Sequence, residues 1–273
     1  MIKLIAIDLD GTLLTDDKQI SARNIETLQQ AKAQGVKVVL CTGRPLNSVV
    51  GHLETLGLTE PGDYAVTFNG GLVQKNDTGE ILSKDIMSFE DVATIFDLTQ
   101  ELSLPLDVVS NETVYRIQPQ PAAYPSLYNQ LNSILRFEDR TLAELPQDRD
   151  FNKMVCAIEG DYLEQQLPKI PASFHERYNI VRSGERLFEF LNKHVTKANG
   201  LVKLGQILGI DQSEMMALGD EENDLSMIDY AGLGVAMANA SAEIKEMAQY
   251  ITDSNEEDGV AKAVEKFVLN ETP

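Results

Sequence analysis

Lys3-Leu4-Ile5-Ala6-Ile7-Asp8-Leu9-Asp10-Gly11-Thr12-Leu13-Leu14 is an apolar run that stops on two carboxylates. The run predicts a strand, and side chains on a strand alternate, so Asp8 and Asp10 start on the same side of its end. Gly11 then lets the chain turn sharply. Open α/β sheets take their ligands beyond such strand ends. Like charges do not gather unless a cation or a proton joins them. The pattern therefore predicts a metal site with one carboxylate left for chemistry. Asp148-Arg149-Asp150 has the same spacing but follows no strand. Context, not spacing, gives the first pair its weight.

Outward from this strand, strand and helix patterns alternate. Ser21 caps a helix ending near Gly35, and residues 36–41 form the next strand. Pro45 opens a helix to about Leu56, with Gly57 at its end. Residues 65–68 are a strand, Asn69-Gly70 a hairpin turn, and Asp77-Thr78-Gly79 a second turn before Ile81-Leu82. The middle reads as α+β. It has a helix from Ser88 to about Leu102, strands near 106–110, 114–118, 154–159, 178–181 and 187–191, a helix near 162–170, and an irregular Pro-rich stretch over 119–150. From about Asn199 the alternation resumes, with strands near 215–218, 233–236 and 250–252 and a last helix from about Gly259. The fold class is α/β. Residues 1–84 and 191–273 form a Rossmann-like parallel-sheet core, and residues 85–190 form an inserted α+β unit.

Composition narrows the function. The net charge of −20, from 43 acidic and 23 basic residues, repels nucleic acid and anionic lipid, and no basic stripe offsets it. No apolar run approaches a membrane span, and the N-terminal one is cut by Asp8. Cys41 and Cys156 fall in strand-like runs and read as small buried hydrophobes in a reducing compartment. The expectation is a cytoplasmic protein with no nucleic-acid or membrane partner, as monomer or homodimer.

Parallel strands in one sheet bring several loops to one edge. Thr42-Gly43-Arg44, just before Pro45, presents backbone N–H groups suited to a phosphate. Gly219-Asp220-Glu221-Glu222-Asn223-Asp224 follows the strand at 215–218. An EF-hand calcium loop fails here because Leu225 stands where its sixth-position glycine belongs. Asp220 is the third carboxylate for a magnesium site. Lys197 precedes the helix that re-enters the core. A lone lysine is usually a solvated charge, but an acidic site that takes a phosphate needs cations.

These four pieces, in this order, resemble the haloacid dehalogenase superfamily of phosphatases. Asp8–Thr12 matches its first motif, Asp-x-Asp-Gly-Thr; Thr42 the second; Lys197 the third; and Gly219–Asp224 the fourth, Gly-Asp-x-x-Asn-Asp. The long insertion resembles the cap of the Cof-type branch. Where that branch often has glycine directly after the lysine, this chain has Ala198 and reaches Gly200 two residues later. The resemblance implies magnesium-dependent hydrolysis of small phosphorylated metabolites, sugar phosphates first, through an aspartyl-phosphate. Asp8 is then nucleophile and metal ligand. Asp10 is general acid and base, with its pKa raised in the substrate complex, and lends its backbone carbonyl to the metal. Asp220 completes the ligands. Leu9, Thr42, Gly43, Lys197 and Asn223 bind the phosphate or substrate, and Asp224 orients Lys197 or a water on the metal.

Selection of the ester falls to the inserted cap, with hinges near 83–88 and 191–196. Arg116 and Arg182 are its cationic candidates, while Tyr115 and Phe188 read as core. Asn69 reads first as a turn residue. Nucleotide, flavin and pyridoxal phosphates, and a sugar phosphomutase, stay open as alternatives. A non-enzymatic phospho-acceptor of the receiver type lacks so large an insertion.

Overall fold

The structure is a computed structural model that describes residues 1–132 and 135–269. In chain order it runs β1 (Leu4–Ile7), α1 (Ala22–Ala33), β2 (Lys37–Cys41), α2 (Val50–Leu56), β3 (Tyr64–Thr67), β4 (Leu72–Lys75) and β5 (Ile81–Lys84). It continues through α3 (Phe89–Glu101), β6 (Asp107–Ser110), β7 (Thr113–Gln118), α4 (Tyr128–Leu131), β8 (Arg136–Thr141), β9 (Lys153–Ala157), α5 (Gly160–Gln166), α6 (Ala172–Arg177), β10 (Tyr178–Gly184) and β11 (Leu187–Asn192). It returns through α7 (Lys197–Leu208), β12 (Met215–Gly219), α8 (Leu225–Tyr230), β13 (Leu233–Ala236), α9 (Ala242–Met247), β14 (Tyr250–Ile251) and α10 (Gly259–Val264).

Two compact units result: Met1–Lys84 with the chain from Thr196 onward, and Asp85–Val195. The second crossing falls at Val195, later than the expected 190, because β11 runs on to Asn192 and Val195 packs with Val181 and Leu191.

In the first unit β1 has only apolar side chains, all buried, as a strand covered on both faces requires. The sheet order is β14-β13-β12-β1-β2-β3-β4-β5, parallel up to β3, with β4 and β5 added antiparallel. The chain steps from β1 outward to β2 and β3, and from β12 outward the other way. Right-handed crossovers then put the helices after β1 and after β12 on opposite faces. Accordingly α1 packs on α2 and α10, while α8 packs on α7 and α9. The strand order reverses between β1 and β12, the place where open α/β sheets bind ligands. Ile7 is level with Leu40 and Leu218, so Asp8, Cys41 and Gly219 come next on three neighbouring strands.

Close backbone approach brings α7 to this edge. Gly70 has φ +95°, and a Cβ there would stand 2.0 Å from the Thr196 carbonyl oxygen. A Cβ on Gly200 would stand 2.4 Å from Val66 Cγ1 and 3.0 Å from Gly70 Cα. Glycine on both sides lets the first turn of α7 sit on the β3–β4 turn. Ala198 is therefore no obstacle: the close contact falls on Gly200.

One expected helix differs. Pro45 is extended (φ −71°, ψ 156°), a 3-10 turn follows over Leu46–Ser48, and α2 begins only at Val50. The Pro45 carbonyl accepts from the Ser48 backbone N–H and hydroxyl, which closes that turn early. No α-helix N-terminus lies at Thr42-Gly43, so a helix dipole adds nothing there, and the roles expected of these residues toward phosphate rest on the loop's own hydroxyl and N–H groups.

The second unit is one sheet, β10-β11-β9-β6-β7-β8, antiparallel except for β7 with β8. Val108, Tyr115, Met154, Phe188 and Phe190 join Val92 and Ile95 of α3 and Leu163 of α5 in its core. The stretch read as irregular holds α4 and β8, and Ser133 and Ile134 within it lie outside the described residues. On the other sheet face, register aligns Glu189, Val155, Asp107, Arg116 and Asp139 in one row. Arg182 is spent on Glu164 and on the carbonyls of Gly184 and Glu185. Cys41 and Cys156 are buried and free. Among the described residues no helix is long and apolar enough to cross a membrane.

Candidate active site

Asp8 is the residue after β1. Its N–H donates to the Leu218 carbonyl (3.0 Å), which fixes it between β1 and β12. Its Oδ1 accepts from Lys197 Nζ. Lys197 is fully buried at the start of α7, whose cap is the Thr196 hydroxyl accepting from Asn199 N–H. Lys197 Nζ also donates to Asp224 Oδ1 (2.5 Å). The other Asp224 oxygen accepts from the backbone N–H of Asp220 (3.0 Å) and Glu221 (3.1 Å). Asp224 is thus engaged on both oxygens and acts as a strut for Lys197 and for the Asp220 turn.

Thr12 donates to Asp220 Oδ1 (2.6 Å). Gly11, at φ +83°, makes room for this carboxylate: a Cβ there would stand 2.3 Å from Asp220 Oδ2. Asn239 Nδ2 props the Gly11 carbonyl (2.8 Å). Asn255 N–H in turn holds Asn239 Oδ1 (3.1 Å), and Asn255 Nδ2 donates to the Leu14 carbonyl (3.0 Å).

Asp8, Asp220 and Asp224 bring carboxylate oxygens within 4.8 Å of one another. Burial, then the Asp224 charge, push Asp8 up to about 8 against the pull of Lys197. Burial also raises Asp220 to about 7, although Thr12 opposes it. Burial works against the charge on Lys197, but Asp224 and Asp8 outweigh it and hold the ammonium above its ordinary value. Three carboxylates around one ammonium leave an excess of negative charge in a dry place. All donors are hard oxygens, and the room beside Gly11 is shaped for the Asp220 carboxylate. The residues fit a divalent hard cation.

That charge excess has a measurable sign. Asp8, Asp220 and Asp107 all have folded pKa values raised from 3.8, by burial first. Above about pH 5, the acids that the fold holds below their ordinary values are already ionised in both states. There these three make the folded state bind more protons than the unfolded chain, so stability falls as pH rises toward about 8. Partly buried His52, whose pKa is lowered, opposes part of the trend. Metal-free protein is expected to melt higher near pH 5.5 than near pH 8, with magnesium narrowing the gap at the upper pH. Calorimetry without metal giving equal or higher melting near pH 8 would contradict this.

Asp10 is placed differently. Arg44 grips it with two bonds, Nε to Oδ2 (2.8 Å) and Nη2 to Oδ1 (2.6 Å), and Lys18 Nζ adds a third to Oδ1 (3.0 Å). Burial works to raise this carboxyl, but Arg44 and Lys18 prevail and its pKa is lowered. Two cations thus favour the carboxylate form of Asp10, whereas the raised value expected above concerns the substrate complex. Leu9 is wholly buried in the core, which leaves its backbone alone to meet a ligand.

Thr42 is buried, its hydroxyl accepting from Arg44 N–H (3.2 Å) and its carbonyl from Asn69 N–H (3.0 Å). Asn69 Oδ1 accepts from Asn223 Nδ2 (3.1 Å), and a Cβ on Gly43 would stand 3.1 Å from that same oxygen. Asn69 thus joins the second and fourth loops. Sequence reasoning passed over it as a turn residue, over Thr12 as part of a motif and over Arg44 as helix punctuation. The positions after strand ends were the available signal for all three.

The haloacid dehalogenase-like hydrolase family matches residues 5–264. YxeH, a candidate phosphatase of Bacillus subtilis (strain 168), is 39% identical over 98% of this chain and 99% of its own. The 5-amino-6-(5-phospho-D-ribitylamino)uracil phosphatase YcsE of the same organism is 31% identical over 98% of this chain and 96% of its own. The solved HAD subclass IIB sugar phosphatase BT4131 superposes with a TM-score of 0.79 at 26% identity, covering 97% of this chain and 98% of that one. The matches span both units of the chain, which belongs to the haloacid dehalogenase-like hydrolase family and is a phosphatase of its Cof-type branch.

Proposed function

We propose that this phosphatase hydrolyses small phosphate monoesters, sugar phosphates first among them, through an aspartyl-phosphate on Asp8, with magnesium as cofactor. The observation that carries the reading is Asp8 itself. It is a buried carboxylate at the tip of the central strand, one oxygen on Lys197, with Asp220 alongside and Asp10 two residues on. An Asp8 oxygen bonds to phosphorus as the ester P–O bond breaks, and Asp10 gives its proton to the departing alcohol. Water then attacks the same phosphorus, Asp10 takes the water's proton, and Asp8 is released. Lys197, Thr42, Gly43 and Asn223 hold the phosphoryl oxygens, and Asp224 keeps Lys197 in place. Asp8, Asp220 and the Asp10 carbonyl hold magnesium, which supplies two positive charges toward a dianionic ester. These four loops serve only the phosphate, so choice of the alcohol is assigned to the inserted unit.

A second reading has support in the likeness to YcsE, named for a phosphoribityl substrate. Both readings share a phosphorylated polyol. A phosphate-release screen over sugar, ribityl, nucleotide, flavin and pyridoxal phosphates, with and without magnesium, tests them. Fastest magnesium-dependent release from polyol phosphates is expected. Activity independent of the metal, or confined to nucleotides, would overturn the reading, and an isomerised ester without free phosphate would mark a mutase.

A further inference from the structure

We infer that Arg44 is a positioning residue that fixes the Asp10 carboxyl for proton exchange at Oδ2; this rests on the acid–base role proposed for Asp10. The Arg44 backbone is itself pinned, its N–H on Thr42 Oγ1 (3.2 Å) and its carbonyl accepting from Phe68 N–H (3.3 Å). From that anchor the guanidinium reaches both Asp10 oxygens in a two-point fork. A fork fixes the plane of a carboxylate, where a single-point cation fixes only its distance. Lys18 takes the second lone pair of Oδ1. Oδ2 accepts only from Arg44 Nε among the described residues, so one lone pair stays open there. The proton that leaves with the alcohol, and returns from water, is assigned to that position. Atoms balance over the cycle: the proton that Asp10 Oδ2 takes from water in one turnover passes to the ester oxygen in the next, as the Asp8–phosphorus bond forms and the ester bond breaks, and Asp10 is left as carboxylate until water is again deprotonated.

The test compares leaving groups. p-Nitrophenyl phosphate releases a weakly basic oxygen that needs little protonation; phenyl phosphate releases a far more basic one. kcat/KM reports phosphoryl transfer for both, whatever limits the second step. Arg44→Gln is expected to lower kcat/KM for phenyl phosphate about 10–100-fold and that for p-nitrophenyl phosphate less than about 3-fold. Arg44→Lys, which keeps the charge but not the fork, should follow Gln. Equal losses on the two esters would place Arg44 on the phosphoryl group or in structure alone and overturn the inference. So would an Arg44→Lys ratio matching that of the unmodified protein, or no loss at all. An Asp10→Asn variant that keeps its kcat/KM on phenyl phosphate would overturn the acid–base reading of the site itself, and the inference with it.

Discussion

Asp8→Asn is expected to lower phosphate release by on the order of 10⁴-fold or more while the protein stays folded. The amide keeps the shape of the side chain but cannot serve as the nucleophile at phosphorus. Stability should not suffer in the same measure. Burial and the Asp224 charge already disfavour the Asp8 anion, so removing one negative charge from a crowded cluster relieves repulsion. Lys197 keeps Asp224 as partner. The metal-free variant is therefore expected to melt at or above the temperature of the unmodified protein near pH 8. Steady-state phosphate release and a thermal melt check the two halves. Turnover within about tenfold of the original would remove Asp8 from the reaction.

Lys197→Met should damage both activity and stability. The ammonium is fully buried and is the cation bonded to both Asp8 and Asp224. Methionine matches the stem in volume but leaves those acids without their ion pair, a loss of about 3–5 kcal/mol when one partner of a buried pair is removed. That corresponds to a melting point lower by roughly 10 °C for a chain of this size. The deficit should shrink as pH falls, since the unpaired acids then gain protons in the folded state. Magnesium should recover part of the stability near pH 8. Turnover should fall at least about 10²-fold even with metal present, because a positive charge toward the phosphoryl group is gone. A variant that melts like the original at all pH values would show that Lys197 is not the counter-charge of this cluster.

Much of the core was readable because its strands are buried on both faces and appear as short apolar runs; β1, β2, β12 and β13 are of this kind. β8 was not, because Arg136-Phe137-Glu138-Asp139-Arg140-Thr141 is an edge strand dressed in charge, which keeps such an edge from pairing further and erases its apolar signature. α6 is short and buries no residue, so it leaves no periodicity to find. At the site, the carboxylates stood out through their motifs. Arg44 did not, because its partner lies 34 residues earlier and no local pattern announces a fork. Lys197 looked like any surface lysine in isolation. Its burial depends on Asp8, 189 residues away, and on Asp224, 27 residues on. Asn69 serves two purposes, a positive φ of 56° and a bond to Asn223, and the first concealed the second.

The place of β1 between an early neighbour and a late one sets a timetable for synthesis. β2 leaves the ribosome soon after β1, but β12 begins only at Met215. Until then one long side of the central strand has no partner in its own sheet, and the intervening chain includes the whole inserted unit. An unpaired apolar edge is sticky toward other nascent chains. The second unit, whose strands all come from its own contiguous stretch, can finish folding meanwhile. The catalytic cluster, drawn from both ends of the sequence, is thus assembled late, once β12 and its loop close the gap.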